Sequence, residues 1–224
     1  DPTIQNGIKI YVENGVYQLS EPIVLRPEDS GTKESRTEII NLSNQEVIFS
    51  GGLNLKGWKK VNANLLGLPK KAIGNMWSID LPSLGGQTLL FRQLWVNEKK
   101  AVKAKDKNGD LMGRILSWDA KNQTCKIPLD RKINVAAMAG MEMIIHQWWA
   151  IANLRIKSAK VVDKAIELTF MQPESRIQSE HPWPAPWISA KTGNSAFYLT
   201  NSIQFLDEPG EWFEDLRNHK LYYW

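Results

Sequence analysis

The residues best suited to chemistry in this 224-residue chain are a group of carboxylates near its end and an excess of tryptophan. Glu208, Glu211, Glu214 and Asp215 fall in one short stretch. Two carboxylates held about 5–10 Å apart across one bond can cleave a glycoside. A pair drawn from Glu208–Asp215 is therefore the candidate for a small, complete hydrolase. The same stretch holds Pro209-Gly210, which suits a type II turn, with proline presetting φ and glycine accepting positive φ. An acid-rich Pro-Gly turn is ordinarily a solvated corner, and on that reading no catalytic residue is assigned.

Ten tryptophans offer a different chemistry, because flat aromatic rings can stack on sugar faces and equally fill cores and interfaces. Trp148 and Trp149 adjoin, so within a strand they point to opposite faces and at most one enters the core. Trp183 and Trp187 lie in His181-Pro-Trp-Pro-Ala-Pro-Trp187, where prolines restrict the backbone and hold rings outward on an irregular loop. Trp148, Trp149, His181, Trp183 and Trp187 are the candidate substrate-binding residues, with a polysaccharide or glycan as partner. A structural plug over the end of a sheet accounts for them as well, and both readings stand.

Other chemistries find little footing. Cys125 is the single cysteine, which excludes an intramolecular disulfide and a cysteine metal site; in Gln123-Thr-Cys-Lys-Ile127 it reads as core filler. His146, His181 and His219 are too dispersed to propose a metal site, and no glycine-rich phosphate loop is present, so neither metal nor cofactor is expected. Asp29-Ser30-Gly31 reads as a side-chain-closed turn rather than a nucleophile. The 28 Lys and Arg are mixed with 24 Asp and Glu, without the clustered basic face that nucleic acid requires. No run approaches the ~20 apolar residues of a membrane span.

These residues must be positioned by strands. Ile8–Val12, Val16–Leu19, Pro22–Leu25, Glu38–Leu42 and Glu46–Ser50 are short and apolar, recurring every seven to twelve residues, a rhythm that fits a meander or the edges of a solenoid. Asn14-Gly15 serves a type I′ hairpin or a corner between coils. From Met76 to Met171 longer strands are expected, among them 140–150, 154–157, 160–162 and 165–171, connected by hairpins such as Asn108-Gly109-Asp110. Short helices are expected at 62–66 and 133–139. Residues 173–194 read as irregular, and strands return at 197–200, 203–206 and 221–224. A chain ending on Leu221-Tyr-Tyr-Trp224 suggests a fragment cut before its next strand, with an open edge prone to self-association.

The blocks Gly7–Leu25, Pro27–Thr32, Phe49–Gly52, Leu94–Ala104 and Leu206–Asp215 with Leu221–Tyr223 resemble the N-terminal portion of bacterial right-handed parallel β-helix proteins of the carbohydrate-active, pectin-lyase-like type. The resemblance spans most of the chain. It implies an all-β fold in which both chain ends start a right-handed parallel β-helix, interrupted by an antiparallel β-sandwich or barrel. The domains are then first strands over 1–58, an inserted β-domain over 59–196 and return strands over 197–224. It further implies the non-catalytic N-terminal part of a secreted or periplasmic glycoside hydrolase. The catalytic acids would lie on later coils, and the remaining β-helix of the parent chain would be a partner. One departure stands out: the family continues from the Asn97 block into an arginine- and proline-containing stretch, where this chain reads Lys103-Ala-Lys-Asp-Lys-Asn108.

Overall fold

The computed structural model describes residues 6–62, 64–106, 111–130, 132–181 and 184–224. Trp183 and the expected Asn108-Gly109-Asp110 connection lie outside them. The chain forms two units, residues 1–56 and 57–224.

In the first unit the strands are β1 (Ile8–Val12), β2 (Gly15–Gln18), β3 (Thr37–Asn41) and β4 (Val47–Ser50). Asn14-Gly15 makes a corner and not a hairpin. β1 pairs in parallel with β3, from Ile8 opposite Thr37 to Val12 opposite Asn41, while β2 pairs in parallel with β4. Like therefore stacks on like: Ile10 faces Ile39 across the ladder, and the rings of Tyr17 and Phe49 meet at 5.4 Å. Pro22–Leu25, expected as a strand, forms none; Pro22 has no N–H to give a ladder. None of the described residues of this unit is buried.

The second unit opens with β5 (Lys59–Lys60), β6 (Trp77–Asp80), and two ribbons, β7 (Ser83–Leu84) with β8 (Gln87–Thr88) and β9 (Trp95–Val96) with β10 (Lys99–Lys100). β11 (Val102–Lys103), β12 (Gly113–Arg114), β13 (Ser117–Asp119), β14 (Thr124–Pro128) and β15 (Glu142–His146) follow. Last come β16 (Ile151–Val162), β17 (Ala165–Phe170), helix α1 (Glu174–Glu180), β18 (Ala196–Thr200), β19 (Glu211–Asp215) and β20 (Lys220–Tyr223). Seven strands form an antiparallel sheet in the order β12-β18-β15-β16-β17-β14-β13. Five form a second sheet, β11-β19-β20-β6-β5, parallel only between β11 and β19.

Period-two alternation builds the core. Cys125 and Ile127, Leu154 and Ile156, and Ile166, Leu168 and Phe170 turn to one face of the large sheet, and Phe213 and Tyr222 join the same cluster from the smaller one. Burial pushes the Cys125 thiol up to about 12, so it stays an inert apolar filler.

Several local expectations change. The strands expected at 154–157 and 160–162 are one strand, β16, whose pairing shifts register between Ile156 and Ser158; the bulge mimics a break in the alternation. The irregular 173–194 segment holds α1, supported by the Arg176–Glu180 pair one turn apart at 2.7 Å. The helix expected at 62–66 does not form among the described residues there, a 3₁₀ turn lying instead at Lys70–Ala72, and the one expected at 133–139 is a single 3₁₀ turn at Val135–Ala137. The Leu221–Trp224 segment is no open edge. β20 is paired on both sides, by β19 and β6, Leu221 and Tyr222 are buried, and the Trp224 N–H donates to Glu211 O at 2.9 Å.

Gly113, on the edge strand β12, lies under the Phe197 ring. A Cβ there would stand 2.8 Å from Phe197 Cε1 and 2.9 Å from Cζ. Gly113→Ala should force that buried ring off its rotamer and destabilise the protein by about 1–3 kcal/mol, measured by urea unfolding. A neutral change would show that β12 simply lifts away from the sheet.

Candidate functional site

The carboxylates of the C-terminal turn are not the solvated corner expected of them. Glu211 and Glu214 are both buried. Gly210 takes φ +90° and the Glu211 N–H closes the turn onto Glu208 O. The Glu211 carboxylate folds back to accept the Asp207 and Glu208 N–H groups at 2.7 and 2.9 Å. Burial pushes its pKa up, and those two donors oppose the rise. Asp215 caps the next turn, accepting from the Arg217 and Asn218 N–H groups and from Asn218 Nδ2. Glu211 and Glu214 lie three apart on one strand and so face opposite sides.

Glu214 instead shares a lysine with Glu142. Lys103 Nζ donates at 2.8 Å to Glu214 Oε2 and at 2.8 Å to Glu142 Oε1, and the three side chains are only 13%, 3% and 12% exposed in the order Lys103, Glu214, Glu142. Asn153 Nδ2 donates to the other Glu142 oxygen at 3.1 Å. Lys103 also lies over the Trp212 ring, 4.9 Å from its centroid. The ammonium bridges the two carboxylates, so the arrangement cross-links the strands that carry them.

Two measurements follow from this triad. Lys103→Met leaves two buried carboxylates without their counter-ion and should cost about 3–5 kcal/mol of stability. Burial pushes the Glu214 carboxyl above its usual 4.5, with Lys103 opposing. The folded state therefore holds this proton more tightly than the unfolded chain does. The contribution of Glu214 to stability is greatest below the ordinary carboxylate value and declines as pH rises through the raised one. Urea unfolding of wild type and Glu214→Gln between pH 4 and 8 should show the wild-type advantage shrinking with pH. An advantage that grows with pH would mean the pairing with Lys103 outweighs burial.

The tryptophan candidates are partly brought together. Trp148 and Trp149 sit in the tight turn between β15 and β16, closed by the Gln147 N–H to Ala150 O at 2.9 Å. The strand expected to run through 150 ends at His146, and neither indole is core: they are 55% and 65% exposed. A two-sided strand would have buried one of them, whereas a hairpin tip lifts both. Trp187, far along the chain, stacks on Trp148 at 5.0 Å and 27°. Its Nε1 donates to Gly193 O at 2.7 Å, and its N–H to Ser195 Oγ at 3.0 Å. The loop thus clamps that ring in place. His181 is exposed at the end of α1, its N–H on Ile177 O. His219 meets Thr88 at 3.1 Å, in a different part of the unit.

Sequence reasoning passed over Lys103 and Lys105 as members of a site. The available signal was the departure from the family pattern at Lys103-Ala-Lys-Asp-Lys-Asn108, together with the buried Ala104 that puts both lysines on the other face.

This all-β body, with buried acids and a paired-indole tip, is similar throughout to part of a solved structure described as "Glycoside hydrolase". The identity is 43% and the TM-score 0.78, covering 100% of this chain and 36% of that one. The likeness is to a portion of that hydrolase. More narrowly, residues 74–224 match the GH141 insertion domain family, and the chain belongs to it. The match takes in residues on both sides of the 196/197 boundary expected from sequence. No curated protein matches. The chain spans about a third of the length of the glycoside hydrolase it resembles.

Proposed function

We propose that this chain is the non-catalytic N-terminal portion of a secreted bacterial enzyme that degrades polysaccharides. Its first strands begin a right-handed parallel, pectin-lyase-like β-helix, and the insertion domain shapes one wall of the substrate cleft. The observation that carries this reading is the pairing of the first unit. β1 on β3 and β2 on β4 are parallel ladders joined through a corner, with paired positions about 30 residues apart, within the 20–50-residue period of stacked coils. Ile10, Tyr11, Val16, Ile39 and Phe49 remain substantially exposed. Strands this apolar, in a unit with no buried residue among those described, call for cover, and further coils of the parent chain are the cover we assign. With β20 already paired on both sides, association falls to these faces rather than to the C-terminal strand.

A second reading, a carbohydrate-binding module, is favoured by the stacked Trp148–Trp187 pair with Trp149 exposed beside it in sequence. The two readings are compatible, since a binding surface can hold a chain for a catalytic helix.

Incubation with plant and host polysaccharides, assayed for new reducing ends, should give product from the parent enzyme and none from residues 1–224 alone. Product released by this chain and abolished by Glu211→Gln or Asp215→Asn would reverse the assignment. Trp148→Ala should weaken retention on any polysaccharide the chain binds through the indoles by tenfold or more, at unchanged melting temperature.

A further inference from the structure

The outer face of the seven-stranded sheet carries a cluster used neither by the turn acids nor by the indole pair. Antiparallel register lays it out in rows: Thr200–Glu142–Arg155, then Tyr198–Ile144–Asn153, then His146–Ile151. The first row is engaged. Glu142 is held by Lys103 and Asn153, and Arg155 forks onto Glu174 of α1 at 2.6 and 3.0 Å. Ile144 is buried in the second. Beyond it the face opens, with Tyr198 and His146 half-buried and Ile151 62% exposed.

The open end has an unusual set of unspent groups. The Tyr198 and His146 rings meet at 6.2 Å, tilted by 52°, and Lys105 Nζ lies 5.9 Å from the Tyr198 centroid. Among the described residues Lys105 has no carboxylate partner, although it is only partly exposed, and neither the Tyr198 hydroxyl nor the His146 ring makes a hydrogen bond. Asn153 Oδ1 is buried without a partner. Burial, and then the nearby Glu142 charge, push the Tyr198 hydroxyl above its usual value, so it remains a proton donor at neutral pH.

We propose that this shelf binds an acidic glycan, with a sugar ring packed on Tyr198 and His146 and its carboxylate meeting the Lys105 ammonium. The proposal rests on the reading of the chain as part of a polysaccharide-degrading enzyme, and adds the charge of the sugar. Charge complementarity decides the ligand class. Lys105 pairs with no carboxylate among the described residues, so an anionic sugar can make a charge-assisted hydrogen bond with it where a neutral one cannot. The aromatic pair supplies the apolar surface for ring C–H groups, and the hydroxyl and imidazole supply hydrogen bonds to ring hydroxyls.

The test titrates the 224-residue chain with tri-galacturonate and, in parallel, with uncharged xylotriose, followed by calorimetry and by amide shifts. Tri-galacturonate should bind at least tenfold more tightly than xylotriose, and its Kd should rise with salt. Lys105→Gln should weaken it at least tenfold at unchanged melting temperature. Tyr198→Ala should weaken it similarly, and Tyr198→Phe less. Equal binding of the two sugars, indifference to Lys105→Gln, or binding lost only in Trp148→Ala would each overturn the shelf. So would tighter binding of a single-stranded oligonucleotide, or no binding of any sugar. None of these outcomes touches the parent-enzyme reading, which the reducing-end assay decides separately.

Discussion

The second unit depends on Lys103, an ammonium shared at 2.8 Å by Glu142 of one sheet and Glu214 of the other. Around it, residues 102–106 are sewn to both sheets. Val102 and Lys103 pair with β19, Ala104 N–H donates to Trp212 O, and Lys105 bridges Thr200 at the end of β18. Asn201 closes the seam, accepting the Glu214 N–H and donating toward Glu214 O and Gly140 O. Trp212, fully buried, lies under the lysine and stacks on Phe91 at 5.4 Å. A buried ion pair adds little net stability over a well-packed apolar alternative, but it accepts only one geometry. Its use here is consistent with registering two sheets against each other.

That constraint also explains how the acids are used. A sequence rich in carboxylates near a turn offers the raw material for glycoside cleavage, yet each acid that enters the interior is matched to a local donor: N–H groups for Glu211, an ammonium for Glu214. The side chains left exposed lie elsewhere, on the indoles of the β15–β16 turn and on the open end of the outer face. Both are reached through elements that β15 and β18 hold in place. The first unit contrasts with this, having regular parallel ladders and no buried residue among those described.

The all-β character, the Gly210 turn and the strand at 165–171 were legible in the sequence, because alternation and turn residues act over a few positions. So was the inert role of Cys125, which follows from its apolar strand context. What only the tertiary structure decided were the pairings: that Asn14-Gly15 makes a corner because β1 finds β3, that β20 is flanked on both sides, that Trp187 crosses to Trp148, and that Lys103 answers two acids at 39 and 111 residues' separation. Local propensity is silent on such contacts. They are selected by which apolar faces bury together and which charges must then be matched, and that is settled only when the whole unit packs.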